Sequence, residues 1–167
     1  MEEKLYRNLD ILEAYIGTPD KFQWYEKAFD KYDVNGIEKI AWNWSWYAFF
    51  STPIYLLYRK CYIEGIILWS LQLFTNLFVG GVGFILSIIL AGIAPMFVFK
   101  RYKRIVKQIQ EAEDNPNLRI EMARDLGGVN KTARNLGILF QIILLFTLFL
   151  SLIFYFGTMA SVVNYYY

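Results

Sequence analysis

Residues 65–99 read GIILWSLQLFTNLFVGGVGFILSIILAGIAPMFVF, 35 consecutive positions without a charged side chain. A lone charge at the centre of a bilayer costs about 2.5–3.5 kcal/mol, so a run of this length marks a segment selected for an apolar medium. As one unbroken helix it would measure about 52 Å against a hydrocarbon core of about 30 Å, so something must fold it back. Gly80-Gly81-Val82-Gly83 sits near its middle and is the natural corner, leaving two short arms. The competing reading is a single tilted helix with a glycine kink. Gly83, Ser87 and Ala91 recur every four residues and give one arm a small-residue stripe. Such a stripe lets helices approach closely, either within the protein or between copies.

Two further uncharged stretches flank this one, Ile40–Tyr58 and Asn135–Tyr167. All the charges lie in the remaining intervals 1–39, 59–64 and 100–134. A soluble protein would scatter them, because its helices each need a solvated face. Composition agrees: 56% of the 167 residues are hydrophobic and 19% are aromatic, above the usual soluble range. Asn130 is placed to cap the last helix. From Arg134 to Tyr165 that helix would cover about 47 Å, enough for the bilayer with its headgroups, and Tyr165–Tyr167 would anchor its far end.

Ile40–Tyr58 reads two ways. Its 19 residues match a crossing. Yet Trp42, Trp44, Trp46 and Tyr47 crowd one end, Tyr55 and Tyr58 mark the other, and Pro53 interrupts the middle. Trp and Tyr favour the headgroup boundary, which suits an interfacial or re-entrant helix. At the N-terminus, Leu5, Leu9, Leu12 and Ile16 recur at helical spacing until Gly17, without the continuous apolar core of a signal peptide. Thr18-Pro19 then opens a second helix reaching Tyr32, and Asp33-Val34-Asn35-Gly36 reads as a turn. These helices predict a small water-facing cap, or an apolar face lying on the membrane surface.

After Phe99, Lys100, Arg101, Lys103, Arg104 and Lys107 put five positive charges into eight residues. The spacing of Ile105, Ile109 and Ala112 predicts that the helix continues as a stalk into water, until Asp114-Asn115-Pro116-Asn117 breaks it. A short helix, Leu118–Leu126, leads to Gly127-Gly128. If 40–58 does not cross, 65–99 is a hairpin and the last helix crosses once, then all 17 Lys and Arg residues share one face. The positive-inside rule makes that face cytoplasmic, together with the N-terminus. The expected fold is therefore all-α and polytopic, with about three transmembrane helices, an aromatic-rich interfacial or re-entrant helix, and short cytoplasmic helices. Its organisation is a cytoplasmic helical segment 1–39, the aromatic segment and transmembrane hairpin 40–99, a basic stalk and linker 100–134, and a C-terminal transmembrane helix 135–167.

The string Trp42-Asn43-Trp44-Ser45-Trp46-Tyr47-Ala48-Phe49-Phe50, then Pro53, Leu57-Tyr58-Arg59-Lys60 and Tyr62, resembles domain-of-unknown-function family 2628. Lys21-Phe22 and Tyr25-Glu26-Lys27 before it, the basic segment after Phe99 and Gly127-Gly128 extend the likeness over about residues 20–140. Cys61 and Val129-Asn130 depart from the family pattern. The resemblance implies a small protein of a bacterial inner membrane and carries no catalytic residues.

Chemistry is narrowly bounded. With no histidine and one cysteine, no His-based triad, His metal site, zinc ribbon or internal disulfide can be built, and no cofactor is expected. Cys61 lies beside Arg59 and Lys60, which would lower its pKa, but lacks a partner base. A net charge of +2 and the lack of a reading motif argue against nucleic acid. Asn43 among tryptophans is expected to pin local backbone. Arg59 and Lys60 read as snorkelling side chains with a Lys60–Glu64 pair, or as headgroup ligands. The run Lys100, Arg101, Lys103, Arg104 and Lys107 reads as a topology signal and a site for anionic lipid. Gln141, Thr147 and Ser151 give the last helix a mildly polar side. No charge lies deep in a crossing, which argues against an ion-coupled transporter. The leading expectation is a non-enzymatic accessory or scaffold subunit that contacts membrane lipids and a membrane-protein partner or further copies of itself. The alternatives are an oligomeric pore-forming or membrane-perturbing effector, as in phage defence or exclusion, and, more weakly, a lipid-binding protein.

Overall fold

The computed structural model describes residues 8–34, 37–78 and 82–166, with side chains as far as Met159 except that of Leu77. The expected turn at Asn35-Gly36, the corner residues Gly80 and Gly81, Leu5 and the tyrosine anchor Tyr165–Tyr167 fall outside the described positions or side chains.

The described chain is mostly helical, in the order α1 (Leu9–Ile16), α2 (Pro19–Tyr32), β1 (Asp33–Val34), β2 (Ile37–Glu38), α3 (Trp46–Tyr58), α4 (Tyr62–Phe78), α5 (Val82–Ala112), α6 (Pro116–Leu126) and α7 (Lys131–Tyr166). Local chemistry sets most boundaries. Asn8 Oδ1 accepts the amides of Asp10 and Ile11, opening α1, and Gly17 closes it at φ 59°, a left-handed conformation that glycine adopts without penalty. Pro19 and Pro116 occupy first turns, where a missing N–H costs nothing. Asn115 caps α6 through Asn117 N, so that helix starts two residues before the expected Leu118. Asn130 Oδ1 accepts Ala133 N at 2.8 Å, the expected cap of α7. On the two sides of Asn35-Gly36, β1 and β2 pair antiparallel, Asp33 opposite Glu38 and Val34 opposite Ile37.

The chain forms two compact units, residues 1–134 and 135–167. In the first, the core gathers around the C-terminal half of α5. Tyr102, Ile105, Val106 and Ile109 are buried there together with Tyr15 and Ile16 of α1 and Phe29 and Tyr32 of α2. Ring pairs knit these elements: Tyr15–Tyr102 at 5.0 Å, Phe29–Phe99 at 5.2 Å and Tyr32–Phe99 at 5.6 Å. This corrects one expectation and decides between two alternatives: residues 100–112 are the spine of a folded unit instead of a solvated stalk, and Ile11, Leu12, Tyr15 and Ile16 of α1 are covered by protein. The five cations mark one face of a helix whose other face is apolar at helical spacing.

α4 and α5 lie antiparallel. Gln72 Nε2 donates to Ser87 Oγ at 3.3 Å, and Gly83 lies against Asn76, while near the other end Arg104 meets Glu64 at 2.9 Å. Two helical stretches are long and apolar enough to cross a membrane, Val82–Ala112 and Pro116–Met159, the apolar part of the second lying in α7. α4, at 17 residues, and the broken 13-residue α3 do not reach that length.

In the second unit α7 is apolar around its whole circumference, with large side chains from Leu136 to Met159 exposed. Its hydroxyls are satisfied within the helix: Thr147 donates to Ile143 O, Ser151 to Thr147 O at 2.9 Å and Thr158 to Tyr155 O at 2.8 Å. That internal bonding is what a helix needs where no water is at hand.

Candidate functional site

Two constellations account for the distinctive residues of 40–62. The first starts with Pro95 inside α5. Proline has no N–H, so the carbonyl four residues earlier, Ala91 O, loses its helical donor. The extended stretch before α3 supplies one: Ser45 N donates to Ala91 O at 3.0 Å, and Asn43 N donates to Gly92 O at 2.9 Å. The strand-like strap can come this close because residue 92 has no side chain. A Cβ there would lie 2.5 Å from the Trp42 indole. Asn43 is buried and pins α2 to the strap: its Oδ1 accepts Lys31 Nζ at 3.0 Å, and its Nδ2 donates to Ala28 O at 3.4 Å. Ser45 then caps α3 by accepting Ala48 N at 3.3 Å.

α3 is itself broken. Ser51 is extended (φ −160°, ψ 93°), two residues before Pro53, and the Thr52 hydroxyl donates to Ala48 O at 2.7 Å. The break leaves Trp46, Tyr47 and Phe50 exposed, whereas Ala48, Tyr55 and Leu56 are buried. Trp44, Trp46, Phe49 and Phe84 form a chain of ring contacts, from Trp44–Trp46 at 5.2 Å to Phe49–Phe84 at 6.2 Å.

The second constellation is centred on Arg59, only 5% exposed. Its guanidinium donates to Ile16 O at 2.8 Å and to Thr18 Oγ1 at 3.1 Å. It also lies 4.3 Å from the Tyr25 ring centre and 5.5 Å from that of Tyr58. A cation at the C-terminal end of α1 meets the negative end of that helix dipole. Around it, Tyr25 and Tyr55 join hydroxyls at 2.9 Å, and Tyr15 donates to Val98 O at 3.2 Å. Burial pushes the Tyr15 and Tyr25 phenols up in pKa, with Arg59 opposing the shift at both.

Arg59 is therefore a buried fastener of the α1–α2 turn, not a snorkelling side chain. The expected Lys60–Glu64 pair is also replaced. Lys60 adopts a left-handed φ of 60° after α3 and donates to Asp125 O at 3.1 Å, while Glu64 pairs with Arg104. Cys61 is buried, and desolvation, then Glu64, raises its thiol to about 12, the reverse of the lowering expected from its basic neighbours.

The other predicted residues separate. Lys103 binds Glu38 at 2.8 Å and Asp33 at 3.7 Å, Arg101 donates to Leu126 O at 2.9 Å, and Lys107 lies 3.9 Å from Glu111. Most of the basic run is thus engaged within the protein, with Lys100 exposed at its edge. Gly83, Ser87 and Ala91 face Asn76, Gln72 and the strap respectively, so the small-residue stripe is covered internally. Gly127-Gly128 meets the end of α1: Gly128 N donates to Tyr15 O at 2.6 Å, and a Cβ at 127 would lie 2.5 Å from that carbonyl.

Pro95, Gly92, Lys31 and Thr18 carry roles that the sequence reading missed. A proline four residues after Ala91 in an apolar run was the available sign of a free carbonyl; which segment would answer it was not visible. Among the described residues no three His, Cys, Asp or Glu side chains gather as metal donors.

A family model described as protein of unknown function (DUF2628) matches residues 8–104, more than half of the chain, and the chain belongs to that family. Both constellations fall inside the matched span, whereas α6 and α7 lie beyond it. No curated protein and no solved structure matches the chain significantly.

Proposed function

We propose that this is a non-enzymatic integral protein of a bacterial inner membrane, its N-terminus cytoplasmic, serving as an accessory or scaffold subunit of a membrane assembly. The observation that carries this reading is how the polar side chains are used. Asn43, Ser45, Arg59 and Lys60 hold backbone carbonyls or cap helices inside the protein, whereas large apolar side chains of α4 and α7 stand exposed. In this reading α7 crosses the bilayer, and the α4–α5 hairpin, which the sequence counts as two further crossings, also sits in the membrane. Partners reach the protein through lipid-exposed helix faces and through the folded unit built on α5. Isolation in mild detergent tests the proposal. A stoichiometric membrane-protein partner, or a defined homo-oligomer, is the expected result; a protein that stays monomeric and alone at every detergent concentration would sink it.

A second reading, an effector that assembles into a pore or disturbs the bilayer, is favoured by one feature. The broken α3 exposes Tyr47 and Phe50 at 70% and 80%, more than a settled core would leave bare. Dye-loaded vesicles that stay sealed at high protein-to-lipid ratio exclude it. Anionic-lipid recognition by the basic run is the weaker reading, since Arg101, Lys103 and Arg104 are already bonded within the chain.

A further inference from the structure

We infer that the α4–α5 hairpin is a wedge inserted into a single leaflet, its hydrocarbon boundary lying at the level of Gly92 and its tip, around Phe78 and Phe84, near the bilayer midplane. This rests on the membrane reading above and revises its count of crossings.

Judged by charge alone, α5 is free to enter hydrocarbon from Phe99 onwards, and Phe99 to Val82 spans about 26 Å, close to a full crossing. The fold removes the first half of that length. Ala94, Val98 and Phe99 are buried against protein. The exposed, charged helix α2 is tied to the same level, because Asn43 accepts Lys31 Nζ and donates to Ala28 O while its own N–H bonds Gly92 O. Lys27, Asp30 and Lys31 are exposed on α2 and require water or headgroups. Lipid tails therefore cannot extend past Gly92 toward Phe99 on that side.

The strap marks the same plane independently. Trp42, 53% exposed, lies against Gly92, and Trp46 and Tyr47 follow at 62% and 70%. Such amphipathic rings settle at the headgroup boundary. From Gly92 to Val82 α5 rises about 15 Å, and the lipid-facing side of α4 from Ile66 to Phe78 about 18 Å. Either length is about half the hydrocarbon core.

The far end agrees. A hairpin that reached the opposite surface would need anchoring Trp, Tyr, Lys or Arg there. Residues 70–90 contain none, and the described tip exposes Phe78, Val82, Phe84 and Ile85. Gln72 and Ser87 satisfy each other across the hairpin, and Thr75 bonds its own helix, which suits polar groups held in lipid.

The test uses the full-length chain in lipid vesicles, with single cysteines introduced as Phe78→Cys and, separately, Phe84→Cys, both at exposed positions that burden the fold little. Cys61, buried with a raised pKa, supplies the unreactive background in the parent protein. Glu121→Cys, exposed on α6, reports the face on which the folded unit lies. Two readings are taken: modification by a membrane-impermeant thiol reagent added to each face, and quenching of a thiol-linked fluorophore by lipids spin-labelled at the headgroup or at the tail end. A wedge gives no modification above the parent from either face at Phe78→Cys or Phe84→Cys, with tail-end quenching the stronger. Modification from the face opposite Glu121→Cys, with headgroup quenching the stronger, means a crossing hairpin and overturns the inference. Modification from the same face as Glu121→Cys, with no quenching by either lipid, places the hairpin in water and removes the membrane reading of this unit as well.

Discussion

The two most apolar helices of this protein use their apolarity for opposite ends. In α5, 44% of the most hydrophobic window is buried inside the protein; in α7 the corresponding share is 6%. By hydropathy they are nearly equivalent. The difference teaches that an uncharged run measures how much apolar surface exists, and not what covers it. From Leu90 onward the cover on α5 is other protein, held by a strap, a buried arginine and tyrosines. Along α7 most of the described side chains are exposed, and lipid is the medium that suits them.

The contrast can be broken most forcefully at Arg59. Replacing Arg59→Ala strips charged hydrogen bonds from Ile16 O and Thr18 and leaves a hole beside Tyr25, and should cost the α5-centred unit about 3–4 kcal/mol, read as a lower midpoint in a detergent thermal melt. Arg59→Lys should recover only part, because an ammonium cannot reproduce the planar two-point contact. The mirror experiment is Leu145→Arg in α7. It should penalise membrane insertion by about 2.5–3.5 kcal/mol, seen as a fall in the membrane-integrated fraction, while leaving the melt of the other unit unchanged.

A pair of glycines sharpens the comparison without altering charge. Gly92→Ala drives a methyl into the Trp42 indole and should destabilise by about 1–3 kcal/mol with a shift in tryptophan emission. Gly157→Ala in α7 meets nothing within 4 Å and should be neutral or gain up to about 1 kcal/mol from helix propensity. Pro95→Ala is subtler. It restores an N–H that competes with Ser45 for Ala91 O, so the strap should loosen by about 1 kcal/mol, with tryptophan emission moving to the red.

Alkaline pH should give the most selective effect. An unfolded Cys61 thiol releases its proton near pH 9.0, whereas the folded one holds it to about 12. The folded state keeps the extra proton between those values, so stability falls as pH rises through that window. Tyr15 and Tyr25, raised above 10.0 by burial, add to the fall from pH 10.0 upward. A melt series should show the decline in the α5-centred unit, and Cys61→Ala should flatten its first part.

Much of the architecture was legible in residue order. Gly17, Pro19, Pro116 and Asn130 mark helix ends because the groups that satisfy them are neighbours in the chain. The uncharged runs identify the apolar helices, and the string from Trp42 to Tyr62, which carried the resemblance, lies inside the family match over residues 8–104. The candidate constellations were half legible. Asn43 was recognisable as a residue that pins backbone, because an amide among indoles must find partners. Its partners on α2 and α5 were not, since Lys31 and Gly92 lie far from it in sequence.

Arg59 marks the limit most clearly. At the edge of an uncharged run, a snorkelling arginine and a buried one have the same local sequence. Only the return of α1 and α2 onto α5 puts Ile16 O and two tyrosine rings around its guanidinium. The same holds for Lys100–Lys107, whose charge pattern is written in five residues but whose ion pairs depend on Asp33, Glu38 and Glu64 arriving from elsewhere. Apolar length, helix ends and excluded chemistry can be read from residue order, because these depend on composition and on neighbours within a turn or two. Which apolar length is covered by protein and which is exposed comes from the fold, because burial is a property of pairs of surfaces, and the partner surfaces are distant in sequence.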